Sequence, residues 1–255
     1  MTEIKLYGYA TSPFVRKTAC FLYYKDLPFT HVPVNPIDPN ATLAHTNGTQ
    51  VPVLEIDGEW RRESSGHAFW LDERFPEKPL CPPQYRDQIL AIDDWINTSF
   101  LPSIFRPAID GEKTLEFRFR FWRLAALVSA HTPMPEEVRH LWPDFVSQAP
   151  FIKAMGKGMD LSESQTDMQM RIGAELAEHI GEGPFVGGLQ APTMLDLAIF
   201  PQLVFGYMFG LEKTLSAARH PTLKDWMKRV AEHLPPNPTL AVDALQLNTI
   251  ASGLE

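Results

Sequence analysis

Over the first 75 residues, short apolar stretches alternate with longer segments of helical period. Ile4 to Gly8 is a short run of β-forming residues. Pro13 follows, suited to the first turn of a helix, and within Phe14 to Lys25 the residues Val15, Ala19 and Leu22 recur at i, i+4 and i+7. Asp26-Leu27-Pro28 ends that helix, and Phe29 to Val34 predicts a second strand. Pro33, Pro36 and Pro39 then interrupt the pattern, leaving a loop with a short irregular helix around Ala41 to His45. Val51 to Ile56 predicts a third strand. Asp57-Gly58 is a two-residue hairpin signal, with Glu59 to Arg62 as the antiparallel return. Ser64 or Ser65 can cap a helix that runs to about Phe75, where Pro76 stops it. Strand, helix, strand, irregular segment, hairpin and helix in that order predict a mixed sheet with helices on its faces.

Residues 76–84, PEKPLCPPQ, carry four prolines and suit neither helix nor sheet. They are expected to link an α/β domain over 1–77 to an all-helical domain over 85–255. Past them the strand pattern disappears. Ile89, Ile92 and Ile96 share one helical face. Leu115, Phe119, Trp122 and Ala126 share another, at i, i+4, i+7 and i+11. Phe117 to Phe121 also alternates like a strand, but the longer window favours a helix. Residues 131–164 are rich in breakers and give no clear period. Gln165 to Ile180 predicts a helix, Gly181 to Gly188 a loop, and Thr193 to about Leu211 an apolar helix kinked at Pro201. Leu223 to Leu234 is amphipathic, and Pro235-Pro236-Asn237-Pro238 opens a tail. Thr193 to Asp196 has the form of a capping box, a structural device.

Composition narrows the function classes. Thirty-one acidic against 23 basic residues give a formal charge of -8, with a pI near 5.5. No run of Lys or Arg exceeds two, so a nucleic-acid partner is not expected. No 18-residue apolar run or signal peptide is visible, which predicts no membrane span. Cys20 and Cys81 have no metal or redox spacing. Cys20 is expected in the core and Cys81, in the linker, at the surface. The eight histidines are scattered, and no zinc, phosphate-loop or serine-hydrolase motif is present, so no metal is expected.

Three short segments could carry chemistry. Thr11-Ser12-Pro13-Phe14 lies where the first strand gives way to the first helix. Free N–H groups and a partial positive charge there would stabilise a thiolate, and a hydroxyl could donate to the sulfur. Ser12 is the first candidate, with Thr11 and Tyr7 behind it; the plainer alternative is that Ser12 only caps the helix. Val51-Pro52, at the opening of a strand, could be a cis pair that presents the Val51 backbone to a ligand. Glu63-Ser64-Ser65 begins a helix whose amides and hydroxyls could hold a carboxylate while Glu63 pairs with an ammonium, as the α-amino acid end of a γ-glutamyl group requires.

In this order and spacing, Ser12-Pro13-Phe14-Val15-Arg16-Lys17, Gln50-Val51-Pro52-Val53-Leu54, Glu63-Ser64-Ser65, the proline-rich linker and the Thr193 to Asp196 box after Gly187-Gly188 resemble the cytosolic glutathione transferase superfamily, in particular bacterial members with serine at the thiol-activating position. The resemblance implies a thioredoxin-like N-terminal domain with a mixed sheet and a C-terminal helical bundle. It implies glutathione as co-substrate, no metal, a homodimer, a cytoplasmic location and a role in detoxification. Residue by residue, it makes Ser12 the thiol-activating hydroxyl. Val51, before a cis Pro52, would pair with the cysteinyl backbone. Glu63 and Ser64 would hold the γ-glutamyl end, Gln50 would lie near the glycyl carboxylate, and Thr11 and Phe14 would flank the site. A small hydrophobic electrophile would enter between the domains, with Trp95, Phe105, Phe117 and Trp122 as candidate lining. His45-Thr46-Asn47-Gly48-Thr49-Gln50 departs from the Asn-Pro-x-Gly-Lys common before the Val-Pro pair, and residues 105–165 are longer than the family pattern. The alternative reading is a non-catalytic glutathione-binding, ligand-binding or stress-related interaction protein of the same fold.

Overall fold

The computed structural model describes residues 2–110 and 115–255, without the side chains of Phe117, Pro143 and Phe145. Four strands, β1 (Ile4–Gly8), β2 (Thr30–Pro33), β3 (Val53–Ile56) and β4 (Glu59–Arg61), form one sheet in the order β2-β1-β3-β4. Strand β1 runs parallel to β2 and antiparallel to β3, and β3 pairs antiparallel with β4. The parallel pair requires a crossover, which α1 (Pro13–Tyr24) supplies. Pro33, which cannot donate to a ladder, sits on the edge strand. Asp57 and Gly58 both take positive φ, 52° and 87°, as the two-residue hairpin demands. The irregular stretch before β3 holds a single turn, α2 (Asn40–Leu43), and a 3₁₀ turn at Ala44–Thr46. Helix α3 (Ser64–Arg74) closes this thioredoxin-like domain.

The proline-rich segment is pinned on both sides. Asp72 accepts the backbone N–H groups of Leu80 and Cys81 at 2.9 and 2.8 Å. The Lys25 ammonium donates to the carbonyls of Phe75, Glu77 and Lys78 and pairs with Asp72 at 2.8 Å. Cys81 is therefore buried rather than exposed, and burial raises its thiol pKa.

The rest of the chain is largely helical: α4 (Arg86–Trp95), a π-helical turn at Ile96–Phe100, α5 (Leu101–Asp110), α6 (Leu115–Ser129), α7 (Glu136–Gln148), α8 (Pro150–Gly156), α9 (Gln165–Ile180), α10 (Met194–Met208), α11 (Pro221–Ala231) and α12 (Ile250–Leu254). Ile89, Ile92 and Ile96 are buried as their period predicts. Helix α10 is apolar on nearly every side because it lies at the centre of the molecule, packed on α1 and α11. Its capping box is formed. Thr193 N–H donates to Asp196 Oδ2 at 2.9 Å, and the Thr193 hydroxyl accepts from Leu195 N–H at 3.4 Å. Asp196 Oδ1 also accepts the Val186 N–H at 2.9 Å and the Trp226 indole N–H at 2.8 Å, tying loop, helix and α11 to one carboxylate.

The helical face read from the sequence over 115–126 is not the covered one. Residues 115–129 are helical, but Leu115, Phe119 and Trp122 are 84%, 58% and 42% exposed. The buried stripe is Phe121, Ala125 and Val128, which packs with Ala108, Met134, Trp142 and Ile152 in a satellite cluster. Both stripes have the i, i+4, i+7 spacing. The period establishes the helix, and the placement of α7 and α8 decides which stripe is covered.

Candidate functional site

The register of the sheet brings the three chemical segments to one end of it. Val53 lies beside Tyr7, so the Val51–Pro52 step just before β3 falls at the same end as the turn just after β1. Arg61 lies beside Leu54, so Glu63 and Ser64, just after β4, reach that end as well. A direct bond joins two of the segments: the Lys17 ammonium on α1 donates to the Ser65 hydroxyl on α3 at 2.7 Å.

Ser12 occupies the N-cap position of α1 with extended backbone (φ -79°, ψ 123°) and is 5% exposed, yet its hydroxyl makes no capping bond. Pro13, in the first turn, has no N–H to satisfy. The capping alternative is thus not realised in the side chain, and the hydroxyl is not committed to the helix. Thr11 and Phe14 beside it are half-buried. Tyr7 belongs elsewhere. Alternation along β1 puts Leu6 in the main core and Tyr7 on the opposite face, in a small cluster with Val34, Leu43 and Val53. Its hydroxyl donates to Glu55 at 2.9 Å, and burial raises its pKa.

The Val51–Pro52 peptide is cis. Val51 is half-buried, Pro52 is buried, and Gln50 before them is exposed. Glu63 is exposed and takes left-handed backbone, φ 53°, at the cap position of α3. Ser64 is the first residue of that helix, so the cap position falls to Glu63 rather than to Ser64 or Ser65, and the Glu63 side chain makes no capping bond. The first-turn amides of α3 therefore face the same end of the sheet as Ser12, where an anionic group would find them.

The pattern of apolar positions gave no sign of the buried polar groups beneath this end. Helix α1 is covered almost all round, by the sheet and α3 on one side and α10 on the other. Arg16, Lys17 and Thr18 are consequently as buried as its apolar stripe. Lys17 Nζ is held between Ser65 and Asp93 of α4, at 2.7 and 2.9 Å. Burial lowers its pKa, and Asp93 opposes that shift. Arg16 donates through Nε and Nη2 to Gln202 Oε1 on α10, at 3.0 and 2.7 Å, and through Nη1 to the Ala10 carbonyl at 2.9 Å. The only signal available in sequence was adjacency to Ser12.

His67, also missed, is fully buried in α3 with Nε2 2.9 Å from the Arg61 carbonyl and Nδ1 3.1 Å from the Thr18 hydroxyl. Burial pushes its pKa down from 6.5 to about 4, with the Lys17 charge acting in the same direction. A depressed histidine stabilises the fold above its unfolded value and loses that contribution as pH falls from 6.5 through about 4. Asp196, pushed up to about 6 by burial, works in the opposite sense over part of that range. The His67 contribution is therefore read as a difference. The stability gap between wild type and His67→Gln, from urea titrations, should shrink by about 3 kcal/mol between pH 7 and pH 4. A gap independent of pH would show that His67 titrates normally.

The aromatic residues expected around an electrophile are dispersed. The Trp95 indole N–H donates to Glu175 at 2.8 Å, and its ring lies against Phe100 and His179. Phe105 packs on Phe151 beside the satellite cluster. Trp122 is on the exposed stripe of α6, and the side chain of Phe117 lies outside the described residues. Among the described residues no group of three or more His, Cys, Asp or Glu could hold a metal ion, and no helix is long and apolar enough to cross a membrane.

Residues 6–79 match the family model for the glutathione S-transferase N-terminal domain. Residues 6–79 thus carry a glutathione S-transferase N-terminal domain, and the fold of the whole chain is that seen in glutathione transferase structures. A glutathione S-transferase from Rhodospirillum rubrum F11 superposes with a TM-score of 0.63 at 18% identity, covering 98% of this chain and 99% of that one. A beta-etherase from Sphingobium sp. strain SYK-6 gives 0.60 at 18% identity, over 90% and 98%. A maleylacetoacetate isomerase from Anaeromyxobacter dehalogenans 2CP-1, solved with dicarboxyethyl glutathione and citrate in its active site, gives 0.52 at 21% identity, over 95% of both chains. Solved structures with this fold thus include a transferase, an etherase and an isomerase.

Proposed function

We propose that this chain binds glutathione at the end of its sheet where β1, the Val51–Pro52 step and α3 meet, and presents the sulfur as thiolate to a small hydrophobic electrophile. The observation that carries this reading is the buried Ser12 hydroxyl at the start of α1, free of any capping role, at the end of the sheet shared with Val51–Pro52 and the N-terminus of α3. Each part fits one part of the tripeptide. The α3 amides and Ser64 suit the γ-glutamyl carboxylate, and Glu63 suits its ammonium. The Val51 backbone suits the cysteinyl peptide, and Gln50 the glycyl end. Thr11 and Phe14 wall the sulfur position. The chemistry is a proton lost from the thiol to solvent, followed by attack of the sulfur electron pair on carbon to form a thioether. In substitution the leaving group departs to solvent with the electron pair of its bond to that carbon. In addition the π pair of an activated double bond moves to the far carbon and takes a proton from solvent. With a maleylacetoacetate isomerase and a beta-etherase among the similar structures, maleylacetoacetate and an ether are worth screening beside the simpler electrophiles. A homodimer in a reducing, cytoplasmic setting is part of the same proposal, with Cys20 and Cys81 both free and buried.

The test is a pH titration of the thiolate absorbance of glutathione bound to the purified protein. The bound thiol should titrate about two units below free glutathione, as thiols do at helix N-termini beside donors. Binding with no shift would support the non-catalytic alternative, and absence of binding would show that the fold is retained without its ligand.

A further inference from the structure

We propose that Arg16 is the fixed positive charge that stabilises the bound thiolate, a positioning residue that acts from beneath the β1–α1 turn. This rests on the thiolate reading above. Arg16 is 3% exposed. Its guanidinium lies 3.8 Å over the ring of Phe205 and donates three of its N–H groups, two to the single oxygen Gln202 Oε1 and one to the Ala10 carbonyl. All three bonds go to neutral acceptors. The other buried cations differ: Lys17 is paired with Asp93, Lys25 with Asp72 and Arg106 with Asp110, whereas no carboxylate among the described residues pairs with Arg16. Its one titratable neighbour is Cys20, a turn further along α1, whose thiol is held protonated by burial.

A buried charge without a partner is costly and persists where something compensates it. Desolvation drives the Arg16 pKa down to about 9, with Cys20 opposing the shift, which leaves it cationic at neutral pH. The geometry states where its field is directed. Arg16 lies one turn past Ser12, and helical side chains lean toward the N-terminus. The guanidinium accordingly reaches back to Ala10, two residues before Ser12, on the inner side of the turn that would hold the sulfur. Gln202 fixes it there, since its own amide N–H groups are spent on the carbonyls of Pro13 and Ala198, at 3.0 Å each, and only its oxygen is left for Arg16. The missing counter-charge is supplied when the thiol of glutathione ionises. In a water-poor interior this attraction is far stronger than in solvent.

The experiment titrates glutathione bound to wild type, Arg16→Met, Arg16→Lys and Gln202→Glu. Arg16→Met should raise the bound thiol pKa by about one unit, a tenfold fall in the thiolate-to-thiol ratio well below that pKa. Affinity for glutathione at acid pH, where the sulfur is neutral, should stay unchanged. Arg16→Lys, which keeps the charge, should retain most of the depression. Gln202→Glu leaves Arg16 in place but pairs it with a carboxylate, and should raise the thiol pKa as Arg16→Met does. It serves alone if Arg16→Met fails to fold. A folded Arg16→Met or Gln202→Glu protein with the wild-type thiol pKa would overturn the proposal. An undepressed thiol in wild type would instead overturn the functional reading on which it rests.

Discussion

Asp196→Ala should lower the unfolding free energy by about 3–5 kcal/mol, a large part of the 5–15 kcal/mol typical of a folded domain. The carboxylate is completely buried and accepts from the Val186 and Thr193 backbones and from the Trp226 indole. Truncation removes no donor. It leaves three buried N–H groups without an acceptor, and each such orphan costs about 1–3 kcal/mol. It also removes one half of the capping box that starts α10, worth about 1 kcal/mol. Part of that loss is offset, because the charged carboxylate is itself expensive to bury, as its pKa of about 6 shows. The net effect stays large because the three donors come from three places. They belong to the loop before α10, the first turn of α10, and α11, so no single rearrangement satisfies them all. Urea denaturation followed by circular dichroism and by tryptophan fluorescence checks this in one experiment, since Trp226 is one of the donors. A loss below about 1 kcal/mol would show that water enters and replaces the carboxylate.

That network also shows what the sequence could disclose. Thr193 and Asp196 stand at capping-box spacing, so the local bond was legible. The further bonds to Val186 and Trp226 join residues far apart in the chain and left no trace in the pattern. The same division holds at the candidate site. The strands, the Asp57-Gly58 hairpin and helix α1 followed from turn chemistry and period, because these are local. The cis Val51–Pro52 bond agrees with what the family resemblance implied at that pair. The faces of α6 did not follow, because Leu115, Phe119 and Trp122 repeat with the same spacing as Phe121, Ala125 and Val128 and only the packing of α7 and α8 separates them. Lys17 and Arg16 did not follow either. In a helix covered on all sides, charged residues at the surface of the pattern become buried groups, and their partners, Asp93 and Gln202, lie in helices beyond the proline-rich segment. The burial of Cys81 has the same origin, in Asp72 drawing the prolines of the linker inward.

Ser12→Ala should lower kcat/KM for conjugation of glutathione to an activated aryl halide by about 10²-fold, the usual loss when one hydrogen-bond donor to a developing anion is removed. The bound thiol pKa should rise toward its value in free glutathione, by up to about two units, which is about 2.7 kcal/mol of thiolate stabilisation. Glutathione affinity at acid pH should change little, because the proposed site holds the peptide ends through the Val51 backbone and the start of α3 rather than through this hydroxyl. The fold should also tolerate the change. Ser12 makes no capping bond, so the roughly 1 kcal/mol that an N-cap normally supplies is not there to be lost. That separates this variant from Arg16→Met, which removes a charge and should shift the pKa without removing a donor to the sulfur, and from Asp196→Ala, which should destabilise the chain without altering the site in whatever remains folded. Thr11→Ala is the companion measurement. If it abolishes turnover and Ser12→Ala does not, the donor is Thr11, and the half-buried residue rather than the buried one faces the sulfur. Equal turnover in wild type and both variants would leave the α1 amides and the Arg16 charge as the whole of the activating field.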